Sequence, residues 1–521
     1  MKNLPIGIQT FSKFKTGNYL YIDKTREIHQ LLAEGGEYYF LSRPRRFGKS
    51  LLISTLLEIF SGNKELFKGL WIYDQIPWKK HPVIHLDFMK ISFKTPEVLE
   101  NSLKRFLNDY AGVYGLTVDK ERDYKEAFVK LIKELSAKGR VVILIDEYDK
   151  PIINYVENQE IEKAKEMRNI LKNFYGVIKG LDEYLRFVFI TGVSKFSKVS
   201  VFSDLNNLRD ITLSRQFSTL LGYTEDELLH YFDRHIEIMA GELDISKNQL
   251  KGKIRKWYNG YSWDGKNFVY NPFSILNLFK EESFENFWFS TGTPSFLINI
   301  IKNKRRDITG FEELPVSSYT FDSFEIDNMD ISALLFQTGY LTIKKIYLKR
   351  EKKRYRLSYP NKEVRDSFLT YLFQDYTQKD MALAGRVIDR VVEAIEENSM
   401  DRLMEELKSL FASIPYHIFI GEKEAYYHTV IYLILKLAGA DVKSEDPTNI
   451  GRIDAVFETE TRVYIMEFKI GSEQDALEQI KEMKYSEKYL SRGKEIVLVG
   501  VGFDPEKRNI GGYVQEEWVA G

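Results

Sequence analysis

Apolar runs of two lengths punctuate the first part of the chain, and each ends in polar chemistry. Tyr38-Tyr39-Phe40-Leu41 is a short strand pattern, followed by Ser42-Arg43-Pro44-Arg45-Arg46-Phe47-Gly48-Lys49-Ser50 and then Leu51, Leu52, Ile53, Leu56 and Leu57 at helical spacing. Strand, tight loop and amphipathic helix are expected in that order. Further on, Val141-Val142-Ile143-Leu144-Ile145 are consecutive branched apolar residues ending in Asp146-Glu147-Tyr148-Asp149. Such a run predicts a strand buried on both faces, as in a parallel sheet. Pro82 to Phe88 and Leu185 to Ile190 read as two more strands, the latter ending in Thr191-Gly192. Helical stretches near 95–110 and 120–137 separate them, and another runs through Leu31-Leu32. The alternation predicts a βα domain over the first 220 residues.

Beyond residue 222 the pattern turns helical. Thr224-Glu225-Asp226-Glu227 is a capping-box start, and Asn271-Pro272-Phe273-Ser274 opens another helix. Between them lies an aromatic loop, Trp257 to Gly265, and after them Phe287-Trp288-Phe289. Aromatic residues at this density can stack on bases, but core and turn packing is the favoured reading. Residues 302–330 look like a connector. Leu334–Ile343 and Arg354–Pro360 are expected to form a small β element, before a helical run to about residue 410. The chain carries no internal repeat and no low-complexity segment.

The last part predicts a hairpin. Gly451 to Phe457 and Arg462 to Ile470 flank a turn at Glu458-Thr459-Glu460-Thr461, with helices expected over 422–435 and around 476–481 and a final strand at 495–500. On the second strand Val463, Ile465, Glu467 and Lys469 share one face, and Tyr464, Met466, Phe468 and Ile470 the other. Both faces are largely apolar, so the strand is expected to be central and its charges costly to bury. A buried Glu467–Lys469 ion pair is one explanation. The other brings Asp454 on the adjacent strand up to Glu467. Two carboxylates beside a lysine form a hard oxygen site for Mg²⁺ or Mn²⁺, the equipment for hydrolysing a phosphodiester.

Composition narrows the classes. At 521 residues the chain should divide into about two to four domains. Hydrophobic content of 44% with 29% charged residues describes a globular protein, and a net charge of −1 leaves any contact with nucleic acid to a local patch. The absence of cysteine removes disulfides, thiol catalysis and cysteine-ligated metals. The seven histidines include no close pair at zinc-site spacing. The beginning has no secretory pattern and no apolar run approaches membrane-spanning length, so a cytoplasmic protein without membrane contact is expected.

Chemistry enters at the strand tips. A phosphate-binding loop needs backbone N–H groups, a helix N-terminus and one lysine converging on a triphosphate. Gly48, Lys49 and Ser50 stand in register for it, with Arg46 and Phe47 in the loop, but Arg43 occupies a position where glycine is usual. A basic strand-to-helix turn is therefore the competing reading. Asp146 could hold the Mg²⁺ shell with the Ser50 hydroxyl, and Glu147 could orient the attacking water. A polar cap at a strand end is the plainer alternative. Thr191 could sense a γ-phosphate or simply begin a Thr-Gly turn. An extra strand separates the phosphate loop from the acidic strand along the chain, which suits NTPases carrying a catalytic glutamate.

Together, Arg43 to Ser50 with Asp146-Glu147-Tyr148-Asp149 resemble the bacterial AAA-ATPase-like family, and the hairpin resembles the PD-(D/E)XK nuclease domain that follows in those two-part proteins. The resemblance extends to Tyr-Asn-Gly-Tyr at 258–261, Val-Tyr-Asn-Pro-Phe-Ser at 269–274, Phe-Gln-Thr-Gly-Tyr at 336–340 and Ser-Ile-Pro-Tyr at 413–416. In that family arginine at position 43 is usual. The resemblance implies an α/β fold: a P-loop NTPase domain over 1–221, a helical and mixed connecting region over 222–410, and a restriction-endonuclease-like domain over 411–521. It implies ATP and Mg²⁺ at Lys49, Ser50, Asp146 and Glu147, and a nuclease site at Asp454, Glu467 and Lys469. Glu424 resembles the helix acid that completes such metal sites, and Gln479 the polar residue on the following helix. DNA is the expected partner, and homo-oligomerisation through the ATPase domain is compatible with the resemblance. Arg45, Arg46, Lys195, Lys198 and Arg209 are candidate arginine fingers or their equivalents. Two functions remain open: an ATPase gating a metal-dependent nuclease, or a nucleotide-switched sensor or assembly protein whose nuclease-like domain binds nucleic acid or protein without cutting.

Overall fold

The computed structural model describes residues 1–33, 37–118, 123–158, 160–195, 201–202, 205–288, 297–298, 300–301, 308–322, 330–378, 381–414, 424–447 and 452–518. The chain divides into two compact units, one of Met1–Phe296 with Phe311–Val364 and the other of Leu297–Gly310 with Arg365–Gly521.

The first unit is built on a parallel sheet of β1 (Tyr38–Ser42), β2 (Val83–Asp87), β3 (Val141–Asp146), β4 (Leu185–Gly192) and β5 (Arg209–Asp210), in the order β2-β3-β4-β1-β5. Alternate residues serve opposite cores. Tyr38, Phe40, Ile143, Ile145, Val188 and Ile190 pack with the helices Pro96–Val113 and Tyr124–Ser136. Tyr39, Leu41, Val142, Leu144, Phe187 and Phe189 pack with Leu52, Ile53 and Leu56 of the helix Lys49–Phe60. Helices on both faces explain why these strands read as unbroken apolar runs. β4, later in the chain than both, lies between β1 and β3. β2, which separates them in sequence, pairs on the outer side of β3.

The capping signals act where the sequence places them. Thr224 and Glu227 form a reciprocal capping box on the helix Glu225–Glu242, and the Asn271 side chain accepts from the N–H groups of Phe273 and Ser274 at the start of Pro272–Glu281. β6 (Asn259–Tyr261) and β7 (Val269–Tyr270) form a two-stranded sheet, and β8 (Leu314–Ser317), β9 (Thr342–Lys349) and β10 (Lys352–Ser358) an antiparallel one in the order β8-β10-β9. One expectation is corrected here. Leu334–Ile343 is not a β element throughout: Ile331–Thr338 is a helix, capped by Asp330 and ended by Gly339 at φ +94°, and the strand starts only at Thr342. Residues 331–337 are buried on every side, so no hydrophobic period distinguishes helix from strand.

The second unit holds a mixed sheet of β11 (Lys443–Pro447), β12 (Arg452–Glu458), β13 (Arg462–Ile470), β14 (Glu495–Asp504) and β15 (Asn509–Glu517), in chain order. Only the β13–β14 pairing is parallel; the others are antiparallel. The helix Glu473–Glu482 makes the crossover between those two strands. β13 is central, as its two apolar faces predict. Among the described residues no helix is long and apolar enough to cross a membrane.

Candidate functional sites

At the tip of β1 the chain turns through Arg46 at φ +67° and Gly48 at φ +90°, and Gly48 forms the N-terminal boundary of the helix Lys49–Phe60. The left-handed backbone at Gly48 aims the first N–H groups of that helix into the loop. The Lys49 ammonium donates to the carbonyls of Arg43 and Pro44, at 3.0 and 2.9 Å, so the lysine closes the loop on itself. Burial lowers its pKa, opposed by the charges of Asp146, Glu147 and Asp149. Arg43, where glycine is usual, points away from the loop. Its guanidinium is fully buried, donates to the carbonyls of Ser42, Thr212 and Phe217, and lies 3.9 Å from the Trp263 ring centre. Burial pushes its pKa down to about 9. The arginine thus braces the base of the loop.

The acidic tip of β3 faces this lysine. Asp146 is buried, and its pKa is pushed up to about 6 by burial, against the opposing effects of a hydrogen bond with Ser50 and the charge of Lys49. Ser50 hydroxyl and Asp146 carboxylate therefore meet where a divalent ion bound to a nucleotide would sit, and both are oxygen donors of the kind Mg²⁺ takes. Glu147 follows at φ +50°, a conformation uncommon for glutamate, with its N–H donating to Asp146 Oδ1 at 3.0 Å. Asp149 is fully buried and accepts from the N–H and hydroxyl of Ser194, at 2.6 and 2.7 Å. A cavity of about 530 Å³ opens over these groups. Its polar lining includes Arg46, Lys49, Ser50, Glu147 and Asp149, and its apolar lining Ile8, Tyr21, Ile22, Phe47, Tyr223, Phe273 and Leu276.

Thr191 is fully buried, and its hydroxyl donates to the Leu41 carbonyl at 2.7 Å, tying β4 to β1. The Phe47 ring packs edge-on against Tyr261 and Trp263. Among the arginine-finger candidates, Lys195 is ion-paired with Asp210 at 2.8 Å, Arg45 with Glu157 at 3.3 Å, and Arg46 lies over the Phe273 ring. Lys198 lies outside the described residues.

The middle motifs wall the phosphate loop, a role that no periodicity or motif spacing signals. Trp288 donates its indole N–H to the Arg45 carbonyl at 3.2 Å, and its own backbone N–H donates to Glu363 at 2.7 Å. Glu363 is fully buried, also accepts from the Ser274 hydroxyl at 2.8 Å, and burial pushes its pKa up to about 7. At Gly339 a Cβ would come within 2.7 Å of Pro44, so only glycine lets that turn approach the loop. Gln337 accepts from the Lys195 N–H at 2.7 Å.

In the second unit, Asp454 stands one residue before the Ala455–Met466 pair, level with Glu467 on β13. Its Oδ2 accepts from the Phe468 N–H at 2.9 Å. Glu467 is buried at 3% exposure, and its Oε1 accepts from the Gln479 amide, as the position of Gln479 on the following helix anticipates. Burial first, and then the charges of Glu467 and Asp454, raise the pKa of the Tyr485 phenol. Lys469 is half-buried and makes no ion pair among the described residues, so a buried Glu467–Lys469 pair is not formed. A further neighbour, missed in the sequence, is His428. Its Nε2 lies 3.7 Å from Asp454 Oδ2, and burial pushes its pKa down to about 4, leaving a neutral imidazole. The Glu424 side chain lies outside the described residues. Among the described residues no three His, Asp or Glu converge as a ready metal cluster. Asp454 and Glu467 are oxygen donors of the kind Mg²⁺ takes, an ion that keeps several waters and uses one or two protein carboxylates.

The family described as predicted AAA-ATPase matches residues 5–202, and the PD-(D/E)XK nuclease superfamily matches residues 422–513. An uncharacterised protein in the vnfD 5′ region of Azotobacter chroococcum mcd 1 is 40% identical over 526 residues, covering 99% of each chain.

Proposed function

The chain belongs to the AAA-ATPase-like family of bacterial proteins with a C-terminal PD-(D/E)XK nuclease superfamily domain, and on that premise we propose that it binds and hydrolyses ATP and cleaves DNA with a divalent metal ion. In this reading the ATPase occupies residues 1–221, the connecting region 222–410 and the nuclease 411–521.

At the first site the N–H groups from Arg46 to Ser50 bind the phosphates. Lys49 leaves the Arg43 and Pro44 carbonyls for the β- and γ-phosphates, and the apolar lining of the cavity takes base and ribose. Ser50 and Asp146 would hold Mg²⁺, and Glu147 would orient the attacking water. At the second site Asp454 and Glu467 would hold Mg²⁺ or Mn²⁺, and the family resemblance adds Glu424 as a third ligand. A metal there supplies an activated water and neutralises phosphate charge. Gln479 fixes the Glu467 carboxylate, and Lys469 stabilises charge on the phosphate or positions the nucleophile.

The observation that carries the hydrolytic reading is Lys469, a half-buried cation without a counter-ion among the described residues, two positions from the buried Glu467. In this reading the Lys469 ammonium meets the anionic phosphodiester. Supercoiled plasmid incubated with the purified protein and Mg²⁺ or Mn²⁺ should be nicked. Lys469→Ala should slow nicking on the order of 100-fold or more, the loss expected when a group acting on transition-state charge is removed. Nicking at the wild-type rate rejects the assignment. DNA binding without nicking by the wild type leaves the protein as a nucleotide-switched binding module.

A further inference from the structure

The hairpin of β9 and β10 carries a concentration of charge that neither site uses. Between Lys344 and Arg356 the sequence holds eight lysines and arginines and one acid, Glu351, in a chain whose net charge is −1. The register sorts them. Lys345 pairs with Arg356, Tyr347 with Arg354, and Lys349 with Lys352, so these six residues share one face of the ribbon. The opposite face is anchored: Tyr355 meets Phe321 edge-on at 4.8 Å, and Ile346 lies against Gly265. Lys344 turns away to the Pro360 carbonyl.

The cationic face is otherwise open. Arg356 has Glu313 at 3.2 Å, while Lys345, Lys349, Lys352 and Arg354 make no ion pair among the described residues. Like charges set directly opposite across a ladder destabilise it, and both the Lys345–Arg356 and Lys349–Lys352 pairs do so. Protection of an exposed edge explains lysines on β9, the edge strand. It does not explain Arg354 and Arg356, which pair with β8 as well as β9 on the central strand β10. A face with this charge, one half-buried tyrosine and successive cations about 6.6 Å apart along β10 fits an extended polyanion.

We propose that this face of the β9–β10 hairpin is a docking surface for the phosphodiester backbone of a DNA duplex, bound without regard to sequence. The inference rests on the nucleic-acid part of the function proposed above. Backbone contacts of this kind position a duplex and leave base reading to other groups.

The test uses the full chain, a short labelled DNA duplex and fluorescence anisotropy in EDTA across a salt series. The triple variant Lys349→Gln/Lys352→Gln/Arg354→Gln should bind on the order of 10- to 100-fold more weakly. Its slope of log affinity against log salt should be shallower by about 2.7, at about 0.9 for each phosphate that is no longer neutralised. Unchanged affinity and slope overturn the proposal. Binding of a fluorescent ATP analogue checks that the variant is folded, and the single charge reversal Lys352→Glu replaces it if it is not. Sedimentation with phosphatidylserine vesicles is a parallel arm. Vesicle binding abolished in the variant while duplex affinity stays constant overturns the proposal in favour of a lipid surface. Plasmid cleavage in Mg²⁺ separates this inference from the nuclease reading. Weakened duplex binding in the variant with no cleavage by the wild type contradicts the nuclease alone, and cleavage with unaltered binding contradicts the hairpin alone.

Discussion

Arg43 occupies a glycine position in the phosphate loop, yet the loop geometry survives because the side chain leaves in the other direction. Its three hydrogen bonds to Ser42, Thr212 and Phe217 join β1 to the segment after β5. Arg43→Ala should leave those carbonyls buried without a donor and destabilise the first unit by on the order of 3 kcal/mol, read as a lower urea midpoint. An unchanged midpoint would contradict the bracing role. Glu363 gives a second test. Burial raises its pKa from the ordinary 4.5 to about 7, so the fold prefers the protonated carboxyl. Its contribution is full below about pH 4.5 and fades as pH rises through about 7, a change on the order of 3 kcal/mol. Glu363→Gln cannot ionise, so its stability should gain on the wild type between about pH 5 and 7.5. Parallel stability curves would contradict a buried ionisable group. The residues legible in the sequence, Lys49, Ser50, Asp146, Asp454 and Glu467, stand at strand tips or on one hairpin, where periodicity announces them. Glu363 and His428 do not. Each gains its role from partners distant in the chain, Glu363 from Trp288 and Ser274 and His428 from Asp454.

At the scale of elements, strands covered on both faces are plain, because five branched apolar residues in a row leave few other solutions for Val141–Ile145. The helix Ile331–Thr338 is not, since a buried helix erases the polar face that would identify it. Its end matters to the first site, because Gly339 combines φ +94° with a close approach of the middle region to Pro44. Gly339→Ala should cost about 1–2 kcal/mol in backbone strain alone, and the added Cβ should push on the loop. Weaker binding of an ATP analogue together with a lower melting temperature is expected. A stability loss with wild-type affinity would mean that the wall does not position the loop. The hairpin at 344–356 is a different case. Its charges are visible in the sequence, but only the register shows that they gather on one face.

At the scale of the molecule, the last of the three points at which the chain passes between the two compact units falls inside a helix, Lys362–Thr377, just after Val364. The helix begins beside the carboxylate that holds Trp288, the residue bonded to the phosphate loop. This helix is a covalent link between the unit that carries the phosphate loop and the unit that carries Asp454 and Glu467. The most direct measurement is a time course of plasmid degradation by the wild type, Lys49→Ala and Asp454→Ala, each with Mg²⁺ and with or without ATP. The wild type should cut at a rate that ATP alters, Lys49→Ala should cut without responding to ATP, and Asp454→Ala should not cut. Cutting by Asp454→Ala at the wild-type rate, or an equal ATP response in Lys49→Ala, would contradict the proposed function.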